Sequence, residues 1–114
     1  MNIDQFDIWV SDISYKQEDG TNSLFLVVLQ NTILNGFHPT VIVCPMTTNI
    51  VNESDILRVH VPKGSTRIMK DCDIVIDQIR VIGVERLVRK EDRLPLDIAE
   101  RVKENIKIVM DMEI

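Results

Sequence analysis

The stretch Cys72-Asp-Ile-Val-Ile-Asp-Gln-Ile-Arg-Val-Ile-Gly-Val-Glu-Arg-Leu87 constrains this chain more than any other. Its apolar residues are β-branched and close-set, the pattern of buried strands. Asp77 and Gln78 interrupt the pattern where no turn signal asks for polar residues. A carboxylate beside an amide inside such a run has either a structural partner or a functional one.

A chain of 114 residues holds one compact core, so residues 1–114 are expected to form a single domain. The 45 % hydrophobic and 27 % charged content is that of a globular domain, outside the range of disordered chains. With 4 % aromatic residues, nucleic-acid binding by rows of stacked rings is not expected. Asp4, Asp7, Asp12, Glu18 and Asp19 break up the N-terminal segment, so neither a signal peptide nor a membrane span is expected, and the chain should act in the cytoplasm. Cys44 and Cys72 have neither metal-ligand nor redox spacing and sit in apolar runs, which predicts buried, reduced thiols.

The pattern predicts a mainly β protein with a C-terminal α-helix. Residues 6–10 and 24–30 read as strands, with a polar loop at 14–23 between them. Asn35-Gly36 is a turn signal that would pair residues 24–32 with 40–44 as antiparallel neighbours. Residues 57–61 alternate, Arg58 and His60 on one face, Leu57, Val59 and Val61 on the other, and Pro62-Lys63-Gly64 ends them. After residue 95 the period changes: Ile98, Val102, Ile106 and Val109 line one side of a helix of about four turns, begun by Pro95. Strands followed by one amphipathic helix predict a small antiparallel, barrel-like sheet.

The chain lacks a phosphate-binding glycine loop, a dinucleotide fingerprint, a nucleophile elbow and a zinc-binding His-Glu-x-x-His, so no cofactor and no metal is expected. What remains is a site of scattered polar side chains at strand ends. Cleavage of RNA by its own 2′-hydroxyl suits such a site: it needs a base, a donor for the leaving oxygen and positive charge or hydrogen bonds at the phosphoryl group. The net charge of −5 is unfavourable for nonspecific nucleic-acid binding, but Arg58, His60, Lys63, Arg67 and Lys70 fall in a stretch without an acid. That stretch is either a basic surface for RNA or a solvated loop.

Four blocks in order resemble the MazF/PemK toxins of the CcdB-like superfamily: Phe6-Asp-Ile-Trp9, residues 26–30, Thr40-Val-Ile-Val-Cys-Pro-Met-Thr-Thr48, and Asp77-Gln-Ile-Arg80 with its continuation to Leu87. The resemblance covers most of the chain. It implies an SH3-like MazF/CcdB-type barrel and a homodimer that cleaves single-stranded mRNA without metal, blocked by the tail of a MazE-like antitoxin. It implies Thr47 as the catalytic threonine at the phosphate and Asp77 as a catalytic base. Thr48, Gln78, Arg80, Arg58 and His60 are then the candidate substrate-binding residues. Each also has a plain reading, Thr47 and Thr48 as strand residues, Arg80 as a partner for Asp77, and Trp9 as a core residue whose indole N–H finds an acceptor.

One departure stands out. The family's catalytic Arg-Pro at the start of the second strand is replaced by Leu24-Phe25, and a hydrophobic side chain cannot do the work of a guanidinium at a phosphate. The expectation is therefore a MazF-like endoribonuclease that works by an altered route, or a weakened or inactive relative that binds an antitoxin or another protein partner.

Overall fold

The computed structural model describes residues 2–13, 24–51 and 56–111. Five segments form the first strands: β1 (Asp7–Ser11), β2 (Leu24–Val28), β3 (Thr40–Thr47), β4 (Arg58–Val61) and β5 (Cys72–Val75). Two further strands, β6 (Arg80–Gly83) and β7 (Leu87–Arg93), precede the C-terminal helix; a single helical turn, α1 (Thr32–Asn35), lies between β2 and β3, and α2 (Leu96–Met110) closes the fold. The expected loop at 14–23 lies outside the described residues.

The strands form one sheet in the order β4-β5-β3-β2-β1-β7, with β6 alongside β3. Every pairing is antiparallel. The sheet is not closed into a barrel, since β4 and β7 end it on either side. β3 is the hinge of the topology. Its N-terminal half pairs with β6 from Thr40 to Val43, and its C-terminal end pairs with β5 at Met46 and Thr47. Pro45 falls between the two partners on this edge, where a missing N–H breaks no ladder.

Strand alternation sends side chains to two cores. Ile8, Val27, Cys44, Met46, Val59, Val61 and Ile74 pack with Ile98, Ala99 and Val102 of α2. Trp9, Leu24, Leu26, Val28, Val41, Val43 and Leu87 fill the opposite side. The indole N–H of Trp9 has no acceptor among the described residues, contrary to the expectation.

Other differences have local causes. Asn35-Gly36 does not make a two-residue hairpin: Asn31 caps α1 by accepting the Ile33 N–H at 2.8 Å. Asn35 is buried and donates its amide to the Ile3 and Gln30 carbonyls at 2.9 and 3.2 Å. Pro95 is the N-cap of α2, with φ −55° and ψ 147°, one residue ahead of the expected first helical position. Pro62-Lys63-Gly64 does end β4 as expected: Ser65 N–H reaches the Pro62 carbonyl at 3.1 Å and Gly64 has φ +92°, a type II turn that needs glycine at its third position.

Candidate functional site

Thr47 is the last residue of β3, and the cross-strand register sets its surroundings. It lies opposite Asp73 of β5, and Asp73 lies opposite His60 of β4, so the three share one face of the sheet. On the other side β2 pairs Leu26 with Pro45; continued by two residues, that register brings Leu24 beside Thr47. The position where the resemblance expects an arginine is thus in register with the expected catalytic threonine, and it is 2 % exposed and apolar.

A groove of about 420 Å³ opens at this end of the sheet, lined by Leu24, Phe25, Thr47 and Thr48 and walled by Arg67, Lys70, Arg89 and Glu91. The Thr47 hydroxyl oxygen accepts the Asn49 N–H at 3.1 Å. That bond uses one lone pair and leaves the O–H proton to be donated, as a phosphate oxygen requires.

Arg58 and His60 point elsewhere. Asp73, 2 % exposed, gathers the Arg58 guanidinium at 3.3 Å, His60 Nδ1 at 3.0 Å and the Val51 N–H at 3.1 Å. Arg58 also donates to the Asn49 carbonyl at 2.9 Å. Both ends of the chain leaving Thr47 are therefore tied to this buried carboxylate and its arginine. Asp73 was not singled out from the sequence; its signal is a second acid in the apolar run, facing a strand whose polar face is Arg58 and His60.

Asp77, Gln78 and Arg80 do not line the groove. β5 ends at Val75 and a single 3₁₀ turn carries Ile76–Gln78, all of it past the end of β5 that lies away from Thr47. Arg80 pairs with Val43, four residues before Thr47 on β3, about 13 Å at the usual rise per residue. The three side chains are exposed. No Asp77–Arg80 ion pair forms. Asp77 is felt at Cys44: burial first, and the Asp77 charge second, push that thiol up to about 12. Cys72, which also lines the groove, is raised by burial and by Asp71 and Asp73, with Lys70 opposing. Both thiols are free and buried, as expected. Among the described residues no group of His, Cys, Asp and Glu is arranged to hold a metal ion, and no helix is long and apolar enough to cross a membrane.

Comparison with known proteins agrees with this geometry. The profile of PemK-like, MazF-like toxins of type II toxin-antitoxin systems matches residues 4–110. The endoribonuclease MazF of Staphylococcus saprophyticus is 31 % identical over 85 residues, which cover 74 % of this chain and 71 % of that protein. Among solved structures, MazE-MazF of Deinococcus radiodurans superposes with a TM-score of 0.79 at 16 % identity, covering 99 % of each chain. The toxin MazF-mt6 of Mycobacterium tuberculosis gives 0.77 at 18 % identity, covering 95 % of this chain and 99 % of its own. An open antiparallel sheet with a C-terminal helix, a threonine-lined groove at the end of its long third strand and a match across nearly the whole sequence lead to one assignment: the chain belongs to the PemK-like, MazF-like toxins of type II toxin-antitoxin systems.

Proposed function

We propose that this chain is the toxin of such a pair, a cytoplasmic, metal-independent endoribonuclease that cuts single-stranded RNA as a homodimer and is blocked by a MazE-like antitoxin segment. The observation that carries the reading is the Thr47 hydroxyl, held by Asn49 with its proton free, in a groove where, among the described residues, three cations face one carboxylate. In the reaction the ribose 2′-oxygen bonds to phosphorus and the bond to the 5′-oxygen breaks; Thr47 hydrogen-bonds a nonbridging oxygen as charge builds there.

A strand leaving the groove along β3 meets Asp77, Gln78 and Arg80. Gln78 would read the exposed edge of an unpaired base, and Arg80 would hold a phosphate further along. Asp77 is the candidate base, and its distance from the groove makes its substitution the informative one. For the dimer, the apolar surface at hand is the exposed cross-strand pair Ile42 and Val81 on β3 and β6, 38 % and 61 % exposed.

The test is incubation of purified protein with a long single-stranded RNA in excess chelator, with mapping of cut ends and of 2′,3′-cyclic phosphate. Discrete cuts, reduced about 10²-fold in Thr47→Ala, support the reading. For Asp77→Asn, a lost rate with unchanged RNA affinity assigns proton abstraction, and a lost affinity with unchanged rate assigns strand contact. Leu24, in register with Thr47, favours a second reading, a noncatalytic relative that acts by binding a protein. Growth arrest unchanged by Thr47→Ala and Asp77→Asn, with no cut RNA, selects it.

A further inference from the structure

We propose that Arg67 and Arg89, which both line the groove, hold the scissile phosphate beside Thr47 and supply the positive charge that Leu24 cannot. This rests on the ribonuclease reading and adds its missing electrostatic group.

Arg89 is placed by the sheet. It lies opposite Val10 on β1, and Val10 lies opposite Phe25 on β2, so Arg89, Val10 and Phe25 form one row on one face. Val10, Phe25 and Arg89 all line the groove. Two strand spacings, about 10 Å, separate the Arg89 and Phe25 backbones, a span that a long guanidinium side chain bridges in good part. The side chain is 63 % exposed, and its Nε lies 3.4 Å from Glu91. An exposed contact of this kind is weak, and its use of Nε leaves the terminal N–H groups for a phosphate.

Arg67 comes from the segment between β4 and β5, which lies against β7. Its backbone is pinned: the Arg67 N–H is bonded to the Asp92 carboxylate on β7 at 2.7 Å, and the next residue, Ile68, is 6 % exposed in the α2-side core. The Arg67 side chain itself is exposed, lines the groove and has no protein acceptor among the described residues. A fixed Cα with a guanidinium unpaired among the described residues is the arrangement an anion site needs, because little order remains to be imposed when the phosphate arrives.

The two arginines would then meet the phosphate where the groove opens at the end of β3, with Thr47 beside it. Guanidinium groups pair with phosphate through two parallel N–H bonds and stay charged throughout, so neither arginine moves a proton. Their part is charge neutralisation while the 2′-oxygen to phosphorus bond forms and the bond to the 5′-oxygen breaks. The proton of the 2′-hydroxyl leaves to a base, and the leaving oxygen takes one up from a separate donor or solvent.

The test uses one RNA sequence in two forms, ribose throughout for cleavage and 2′-deoxyribose throughout for binding without cleavage, in chelator. The variants are Arg67→Ala, Arg89→Ala, the double variant, the double variant with Leu24→Arg added, and Lys107→Ala on α2 as a charge control. Thermal melting confirms that each is folded. Each groove arginine removed should lower the salt slope of deoxy-strand binding by roughly 0.7. The double variant should cut about 10²–10³-fold more slowly, and Leu24→Arg should restore part of that loss. Loss of binding in the double variant, with a wild type that never cuts, keeps the phosphate site and overturns the ribonuclease reading. A double variant that cuts and binds like Lys107→Ala overturns the inference and leaves the ribonuclease reading standing. Absence of deoxy-strand binding by the wild type also overturns it.

Discussion

Arg58 and His60 on one side of Thr47, and Arg67 and Arg89 on the other, differ in what faces them. The first pair meets Asp73, buried at 2 % exposure, and the Arg58 side chain is itself only 20 % exposed. The second pair faces an open groove with a single acid among the described residues, and Arg89 is 63 % exposed. Removing a buried carboxylate from water is costly unless cations and N–H donors surround it, so the charge of Arg58 is spent within the protein. In the groove the same residue type has its attraction left over for a ligand. Sequence shows both pairs as one basic stretch around residues 58–70 plus an unremarked arginine on β7; burial sorts them.

The strongest way to break that comparison is Arg58→Met. It keeps the bulk and leaves Asp73, among the described residues, with His60 and the Val51 N–H. The expected loss is about 3 kcal/mol of unfolding free energy in urea, with the salt slope of RNA binding unchanged. A variant as stable as wild type but with a lower salt slope would place Arg58 among the RNA ligands and merge the two regions.

A smaller effect is expected from Asp92→Ala, which frees the Arg67 backbone without touching its side chain. Asp92 accepts the Arg67 N–H through one oxygen and the Arg93 N–H through the other, both at 2.7 Å. Losing these bonds should cost about 1–3 kcal/mol of stability. Cleavage should fall several-fold through weaker RNA binding, while kcat at saturating RNA stays nearer the wild-type value. Asp92→Asn keeps an acceptor for Arg67 and should restore the affinity. Equal loss in both variants would show that the carboxylate charge near the groove matters, and not the anchoring of Arg67.

How much of this could be read beforehand follows from how local each signal is. β4 was legible because Arg58 and His60 alternate with Val59 and Val61, and the structure buries only the valines. α2 was legible from its apolar spacing over fifteen residues. β7 was not: Leu87-Val-Arg-Lys-Glu-Asp-Arg93 is polar on both faces, and it is a strand because β1 offers it an edge. α1 is one turn long, too short for any periodicity, and exists through the Asn31 cap and the buried Asn35 amide. At the site, Thr47 and Leu24 came together because strand register carries the family pattern into space. Asp73 escaped notice because its partners sit on a neighbouring strand thirteen and fifteen residues away. The 3₁₀ turn that takes Asp77 out of the groove has no sequence mark beyond the polar pair itself.

Cys44 gives the most delicate test of where Asp77 lies. Its thiol donates to the Val75 carbonyl at 2.8 Å, and its folded pKa rises from 9.0 to about 12, through burial and then through the Asp77 charge. The sign follows from which state holds the proton. Above pH 9 the unfolded thiol ionises and the folded one does not, so unfolding releases a proton and stability falls as pH rises through the window from 9 to about 12. The slope approaches about 1.4 kcal/mol per pH unit for one proton, read as the difference between wild type and Cys44→Ala. Asp77→Asn should lower the upper end of that window, and Thr47→Ala should leave it in place. If Asp77→Asn left the Cys44 titration unmoved, Asp77 would have to lie farther from Cys44 than the 3₁₀ turn after β5 puts it.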